Sequence, residues 1–198
     1  MPNSNPLHLK LIFEVPTGRI LGAQAIGKGN ADKRIDVIAT MITMNGTIED
    51  LKELELTYSP MFSTAKDVVN MAALVATNIL ENRFKQIHVD EVRALVEKDA
   101  YILDVREVGE FANGHIKNAV NIPLSELRER MNEIPKERTV YVHCRSAQRS
   151  YNAVMALLHN GYENVYNVSG SFLGICLYEY YNDQAKNREP IVTQYNFR

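Results

Sequence analysis

The chain has no tryptophan, two cysteines, seven prolines and ten glycines in 198 residues. No apolar run approaches the ~20 residues needed to cross a bilayer as a helix, and no secretory signal opens the sequence. Cys144 and Cys176, with 31 residues between them, make no disulfide framework, which points to a reducing cytoplasm. The formal net charge of −2 gives no general attraction to nucleic acid or to an anionic membrane. There is no internal repeat, no low-complexity stretch and no cluster of metal-ligating residues. No G-x-G-x-x-G follows a strand pattern, so no dinucleotide-binding Rossmann turn is expected.

What is present suffices for two cores. At 45% hydrophobic content, the chain can form two domains of about 80–100 residues each. The expected boundaries are 1–82 and 86–184, with a polar joint at Glu81-Asn-Arg-Phe-Lys-Gln86 and a polar surface tail at 185–198 that packs on a neighbour.

The first domain reads as α+β. Leu7–Phe13 alternates as a half-buried strand, Pro16 and Gly18 punctuate a turn, and Arg19–Ile26 returns to complete a hairpin. Asp32 is placed to cap a helix in which Ile35, Ile38, Met41 and Ile42 form one apolar stripe, ended by Asn45-Gly46. Thr47-Ile-Glu-Asp50 has the capping-box pattern of a short helix to about Leu54. Leu56–Tyr58 is extended, and Lys66–Glu81 forms a last, apolar helix. Residues 7–82 carry more Val, Ile, Leu and Met than so small a domain can cover by itself, and a self-complementary patch gives a two-fold pair. A homodimer is therefore expected.

The second domain holds the most informative stretch, Cys144-Arg-Ser-Ala-Gln-Arg149. Before it, Thr139–His143 reads as a short buried strand. After it, Ser150–His159 reads as a helix with Ala153, Leu157 and Met155 turned inward. A loop between a strand end and a helix N-terminus gathers backbone N–H groups into an anion pocket, to which the helix dipole adds positive charge. Arg145 and Arg149 add two cations, and every one of these features favours thiolate over thiol. A free cysteine is more commonly a buried hydrophobe, but the charged residues of this loop argue against a core position. Cys144 is the candidate nucleophile, with Arg145, Ser146, Ala147, Gln148, Arg149 and Ser150 lining the anion site. His143, on the strand, should point away from the nucleophile. Cys176, among Ile175, Leu177 and Tyr178, reads as core. His115 reads as a structural hydrogen-bonder, and Asp104 with Arg106 as a supporting ion pair.

Four pieces within about 87–183 resemble a rhodanese domain, in that family's order: Ala100-Tyr-Ile-Leu-Asp-Val-Arg-Glu107, Glu110-Phe-Ala-Asn-Gly-His-Ile116, Asn118-Ala-Val-Asn-Ile-Pro123 and His143–Ser150. The resemblance implies an α/β fold with a central parallel sheet flanked by helices. It also implies a sulfurtransferase in which Cys144 takes sulfane sulfur from thiosulfate, a polysulfide or a persulfide and passes it to a thiol. The related phosphatase loops have Cys-x5-Arg, whereas here four residues separate Cys144 and Arg149, which favours sulfur transfer over phosphate or arsenate chemistry. The usual glycine pair after the last strand appears as Gly170-Ser171 with no following tryptophan, a departure expected to touch packing more than chemistry.

Leu9–Leu80 resembles the dimerisation domain of flavin-dependent pyridine nucleotide–disulfide oxidoreductases. The coenzyme A-disulfide reductase and NADH oxidase group is the nearest branch. The matching residues are Thr17–Gln24, Asp32–Ala39, Tyr58-Ser-Pro-Met-Phe-Ser63 and Lys66-Asp67. Within that family a rhodanese domain can follow directly, so the chain resembles the C-terminal part of such a fusion, and its start at a domain edge suggests a partial reading frame. The intact fusion would use FAD, NAD(P)H and coenzyme A, and Tyr58 would reach across the dimer to the partner's redox site. This chain lacks the flavin-side cysteine, so the resemblance places no reductase half-reaction in it. It leaves two functions open, an independent sulfurtransferase or a dimerising sulfur-delivery module.

Overall fold

The computed structural model describes residues 7–61 and 64–197. The chain divides into two compact units, Met1–Arg83 and Phe84–Arg198. Phe62 and Ser63 of the sequence motif around Tyr58, and the chain start at 1–6, lie outside the described residues.

In the first unit, β1 (Leu7–Phe13) pairs antiparallel with β2 (Ile20–Gly27), with Leu9 opposite Ala25. The turn between them places Gly18 at φ 72°, in the left-handed region where a side chain is strained. Three helices follow: α1 (Ala31–Thr43), α2 (Ile48–Glu53) and α3 (Val68–Leu80). The α1 cap is Asn30, not Asp32, because Asn30 takes the left-handed conformation at φ 49° and Asp32 falls inside the first turn. Asn45-Gly46 ends the chain reversal as expected, with the Gly46 N–H donating to Met41 O at 2.7 Å. The capping box at Thr47 and Asp50 is formed, and a second one at Asp67 starts α3 at Val68, two residues beyond the expected Lys66. Ile20, Ile38, Ile48, Leu51, Val69, Ala73 and Ala76 form the core. Ile42, assigned to the inward stripe, is instead 36% exposed in the last turn of α1, whereas Ile38 one turn earlier is buried.

The second unit is a five-stranded, all-parallel sheet in the order β3-β7-β6-β4-β5. Its elements are β3 (Lys85–Ile87), α4 (Val92–Glu97), β4 (Tyr101–Asp104), α5 (Val108–Ala112), β5 (Val120–Asn121), β6 (Val140–His143), α6 (Gln148–His159), β7 (Val165–Val168) and α7 (Ser171–Lys186). Val140, Val142, Ile102, Leu103, Val165 and Val168 are buried, the near-continuous apolar pattern of strands covered on both faces. The polar joint is shorter than its sequence suggested. Phe84 is buried edge-to-face against Tyr151, 5.1 Å between ring centroids, and Lys85 already pairs in the sheet.

The expected surface tail is corrected too. Ile191 and Val192 are buried in the second core. The Lys117 N–H donates to Ile191 O at 2.8 Å and the Thr193 N–H to His115 O at 2.8 Å. Two adjacent apolar residues in a polar stretch gain more by covering the core than by staying in water.

Asn70 is the polar keystone of the first unit. Its buried Nδ2 donates to Leu51 O at 3.1 Å and Leu54 O at 3.0 Å, while its Oδ1 accepts the Asp67 N–H at 3.1 Å. Asn70→Ala leaves those carbonyls unpaired and should cost about 1–3 kcal/mol, read as a lower midpoint of urea unfolding for the first unit.

Candidate functional site

Cys144 directly follows β6, the middle strand of the parallel sheet, so it lies at the carboxyl end where open α/β sheets place their ligands. The next three residues, Arg145, Ser146 and Ala147, form the loop into α6. Ala147, the α6 N-cap, has φ 78°, a left-handed conformation held by a residue with a β-carbon. This reversal turns successive N–H groups inward. Burial pushes the Cys144 thiol up, but the Ser150 N–H and hydroxyl and the Ser146 and Ala147 N–H groups outweigh it, so the thiol is held below its ordinary value. Cys144 is only 1% exposed, at the floor of this cradle.

The two loop arginines part company. Arg149 forks onto Glu110 of α5, Nη1 to Oε2 at 2.6 Å and Nη2 to Oε1 at 2.8 Å. The Glu110 carboxylate, then the Cys144 sulfur, raise the guanidinium's hold on its proton. Arg149 therefore faces the nucleophile while its partner braces it. Arg145 is different: its Nη1 donates to Asn196 O at 3.0 Å, and burial lowers its pKa in the neighbourhood of Cys176. Its expected place lining the cradle is thus corrected, because the returning tail offers its guanidinium a carbonyl. Gln148 is exposed at the first residue of α6.

The backbone beneath the cradle is tied to α7. The Phe172 N–H donates to Cys144 O at 3.1 Å and the Leu173 N–H to Arg145 O at 3.1 Å, so the first turn of α7 holds the loop from below. A buried polar cluster lies alongside. Arg106 and Asp104 pair at 2.6 Å, Arg106 also donates to Gly114 O at 2.8 Å, and its guanidinium stands 4.0 Å above the Phe172 ring. His143 is fully buried beside them, with Nδ1 3.2 Å from Cys144 O and Nε2 3.6 Å from Asp104 Oδ2. Burial pushes its pKa down, so it stays neutral.

His115 stacks on Phe111 at 3.8 Å and holds Phe111 O at 2.9 Å through Nδ1. Cys176 is fully buried, and burial raises its thiol. In the first unit, Tyr58 is 54% exposed. Sequence reasoning missed Glu110 as the brace of Arg149, and Ser171 and Asn167 behind the sulfur. The only sequence signal for Glu110 was its place at the start of the Gly-His-Ile stretch. Among the described residues no group of three or more His, Cys, Asp or Glu side chains could hold a metal ion, and no helix is long and apolar enough to cross a membrane.

The lowered thiol has a definite pH signature. A thiol whose folded pKa lies below its unfolded value contributes stability that is full above the unfolded value. That contribution is lost as pH falls through the folded value. Thiolate ultraviolet absorbance, with Cys144→Ser as the blank, should therefore titrate at lower pH in the native chain than in the same chain unfolded in urea.

Residues 88–177 match the rhodanese-like domain family, and residues 1–69 match the pyridine nucleotide-disulphide oxidoreductase dimerisation domain. An uncharacterized protein YqhL of Bacillus subtilis is 41% identical over 100 residues, covering 50% of this chain and 79% of that protein. A coenzyme A disulfide reductase of Staphylococcus epidermidis is 43% identical over 70 residues, 35% of this chain and 16% of the reductase. Two solved structures cover 87% of this chain. The reduced Bacillus anthracis CoADR-RHD is 44% identical with a TM-score of 0.83, and a NAD-dependent persulfide reductase from A. fulgidus is 40% identical with a TM-score of 0.78. This chain spans 31% and 30% of their respective lengths. Residues 88–177 thus form a rhodanese-like domain and residues 1–69 match a pyridine nucleotide-disulphide oxidoreductase dimerisation domain, and across 87% of its length the chain is similar to the reduced Bacillus anthracis CoADR-RHD.

Proposed function

We propose that the second unit is a sulfurtransferase that carries sulfane sulfur as a persulfide on Cys144. The observation that carries this reading is the convergence of the Ser146, Ala147 and Ser150 N–H groups and the Ser150 hydroxyl on the buried sulfur, which favours its thiolate against the cost of burial. A cradle of backbone donors closed by one arginine suits a small anionic adduct on sulfur. In the first step the Cys144 thiolate attacks the outer sulfur of thiosulfate, a polysulfide or a persulfide. A new S–S bond forms, the donor's own S–S bond breaks, and its electron pair leaves on sulfite or a thiolate. In the second step a thiolate acceptor attacks the outer sulfur of the Cys144 persulfide and expels the Cys144 thiolate. No net redox change occurs over the two steps. Arg149, fixed by Glu110, offers charge-assisted hydrogen bonds to the terminal sulfur.

In this reading the chain serves the sulfur side of a flavin-dependent coenzyme A-disulfide, persulfide or polysulfide reductase. The similarity to the A. fulgidus NAD-dependent persulfide reductase supports it. FAD, NAD(P)H and coenzyme A would be held by parts of such a protein that this chain does not span, since no dinucleotide-binding glycine turn occurs in the sequence. The first unit acts as the dimerisation handle. Ile12, Leu21, Ile26, Met44, Met71 and Val75 are all more than 40% exposed on it, apolar surface that a two-fold partner would cover. Tyr58, exposed on the same unit, is the residue this reading directs across the two-fold axis.

Three outcomes are expected. Cys144→Ser should abolish transfer from thiosulfate to a thiol, and Cys176→Ser should retain most of it; mass spectrometry should find the added sulfur on Cys144, and sulfur on Cys176 would sink the assignment. Arg149→Lys keeps the charge but loses the fork, so turnover should fall about tenfold or more; unchanged turnover would mean that the backbone cradle suffices. Light scattering at micromolar concentration should give twice the 22.5 kDa of one chain, and a mass of one chain would refute the dimer.

A further inference from the structure

Ser171 stands where the rhodanese pattern has the second glycine of a pair, and the structure gives that departure a chemical consequence. The position asks for a glycine-like backbone: Ser171 has φ 48°, directly after Gly170 at φ 79°. A side chain there is strained, so its presence needs a return. The return is visible around its hydroxyl, which is fully buried. Ser171 Oγ accepts the Cys144 N–H at 3.2 Å, lies 3.1 Å from Val168 O, 3.4 Å from Ser150 Oγ and 4.0 Å from Cys144 Sγ. Glycine at this position would leave the Cys144 N–H, buried behind the strand end, without that acceptor.

The hydrogen count is decisive. Ser171 has one hydroxyl hydrogen and three acceptors within reach. Ser150 likewise has one hydroxyl hydrogen, with Asn167 Oδ1 at 2.7 Å, Ala147 O at 3.1 Å and the Cys144 sulfur as its acceptors. When Cys144 is a neutral thiol, the nearer Val168 carbonyl takes the Ser171 hydrogen. When the sulfur carries negative charge, rotation of one C–O bond turns that hydrogen to the sulfur, because a hydrogen bond to an ionised acceptor is about twice as strong as a neutral one. The backbone anchor to Cys144 N–H is the same in both states.

We propose that Ser171 is a positioning residue for the nucleophile, fixing the Cys144 backbone through its oxygen and delivering its hydroxyl hydrogen to the sulfur once the sulfur is anionic. This deepens the sulfur-carrier reading of Cys144 and rests on it. Ser171 is therefore a donor to the sulfur from behind, opposite in origin to the loop N–H groups, which come from the α6 side.

The test compares Ser171→Gly and Ser171→Ala in the full chain, reading the Cys144 titration by thiolate absorbance with Cys144→Ser as blank. Glycine suits φ 48°, and the relief of backbone strain offsets part of the loss of the Cys144 N–H acceptor, so Ser171→Gly should still fold, as circular dichroism checks. Both variants lack the hydroxyl, so both should titrate about 0.5–1 pH unit higher than the parent, reducing the thiolate fraction about three- to tenfold at pH values below the midpoint. An unchanged or lower midpoint in the folded Ser171→Gly variant overturns the proposal. A shift in Ser171→Gly without one in Ser171→Ala also overturns it, because backbone freedom alone would then explain the result. Sulfur loading of the parent is scored separately by mass spectrometry. A parent that takes up no sulfur on Cys144 defeats the carrier reading, while the titrations still decide what Ser171 does to the thiol.

Discussion

The site depends on one constraint: several backbone N–H groups must point at a single sulfur, in a place where water does not compete. A regular helix start cannot do this, because its free N–H groups run parallel to the axis. Ala147 at φ 78° bends the loop so that the Ser146, Ala147 and Ser150 N–H groups converge. The strain of that residue is met from both sides. The Phe172 and Leu173 N–H groups hold the Cys144 and Arg145 carbonyls, and the Val105 N–H holds His143 O at 3.0 Å.

The buried charges follow from the same need for rigidity. Asp104 and Arg106 are desolvated together, and such a pair adds little net stability over an apolar one while being costly to break. Here the pair is engaged on every side: Asp104 Oδ1 takes the Arg106 N–H, Arg106 reaches Gly114 O, and the guanidinium lies on Phe172. Arg106 so ties β4 to the Gly-His-Ile turn and to the first turn of α7. Gly114 itself is at φ 120°, and a β-carbon there would come within 2.5 Å of Gln194 O. The returning tail can pass only over a glycine. The tail then carries Asn196 to Arg145, and so sets which arginine faces the sulfur.

The reading of the sequence went furthest where local chemistry dictates local shape. The hairpin, the capping box at Thr47, the strand before Cys144 and the helix after it all rest on neighbours within a few residues, and all are found. Errors fell where distant partners intervene. Ile42 belonged to a helical stripe by spacing, yet it sits in the last turn of α1 and stays 36% exposed. Ile191 and Val192 looked like part of a polar tail because the sequence does not reveal that the second core leaves a gap for them. Arg145 and Arg149 look equivalent in the loop, yet their roles differ because Glu110, 39 residues before Arg149, holds one and Asn196, 51 residues after Arg145, holds the other.

By itself the sequence determined the two-unit plan, the parallel sheet, and a cysteine placed between a strand and a helix with two cations beside it. Those are matters of periodicity, capping and short spacing, which act within a few residues. Only the tertiary structure decided which donors meet the sulfur. A hydrogen bond needs atoms within about 3 Å, and Ser171 reaches Cys144 only because β7 lies beside β6 in the sheet. Strand order brings those two residues together, and strand order is not written in any local pattern.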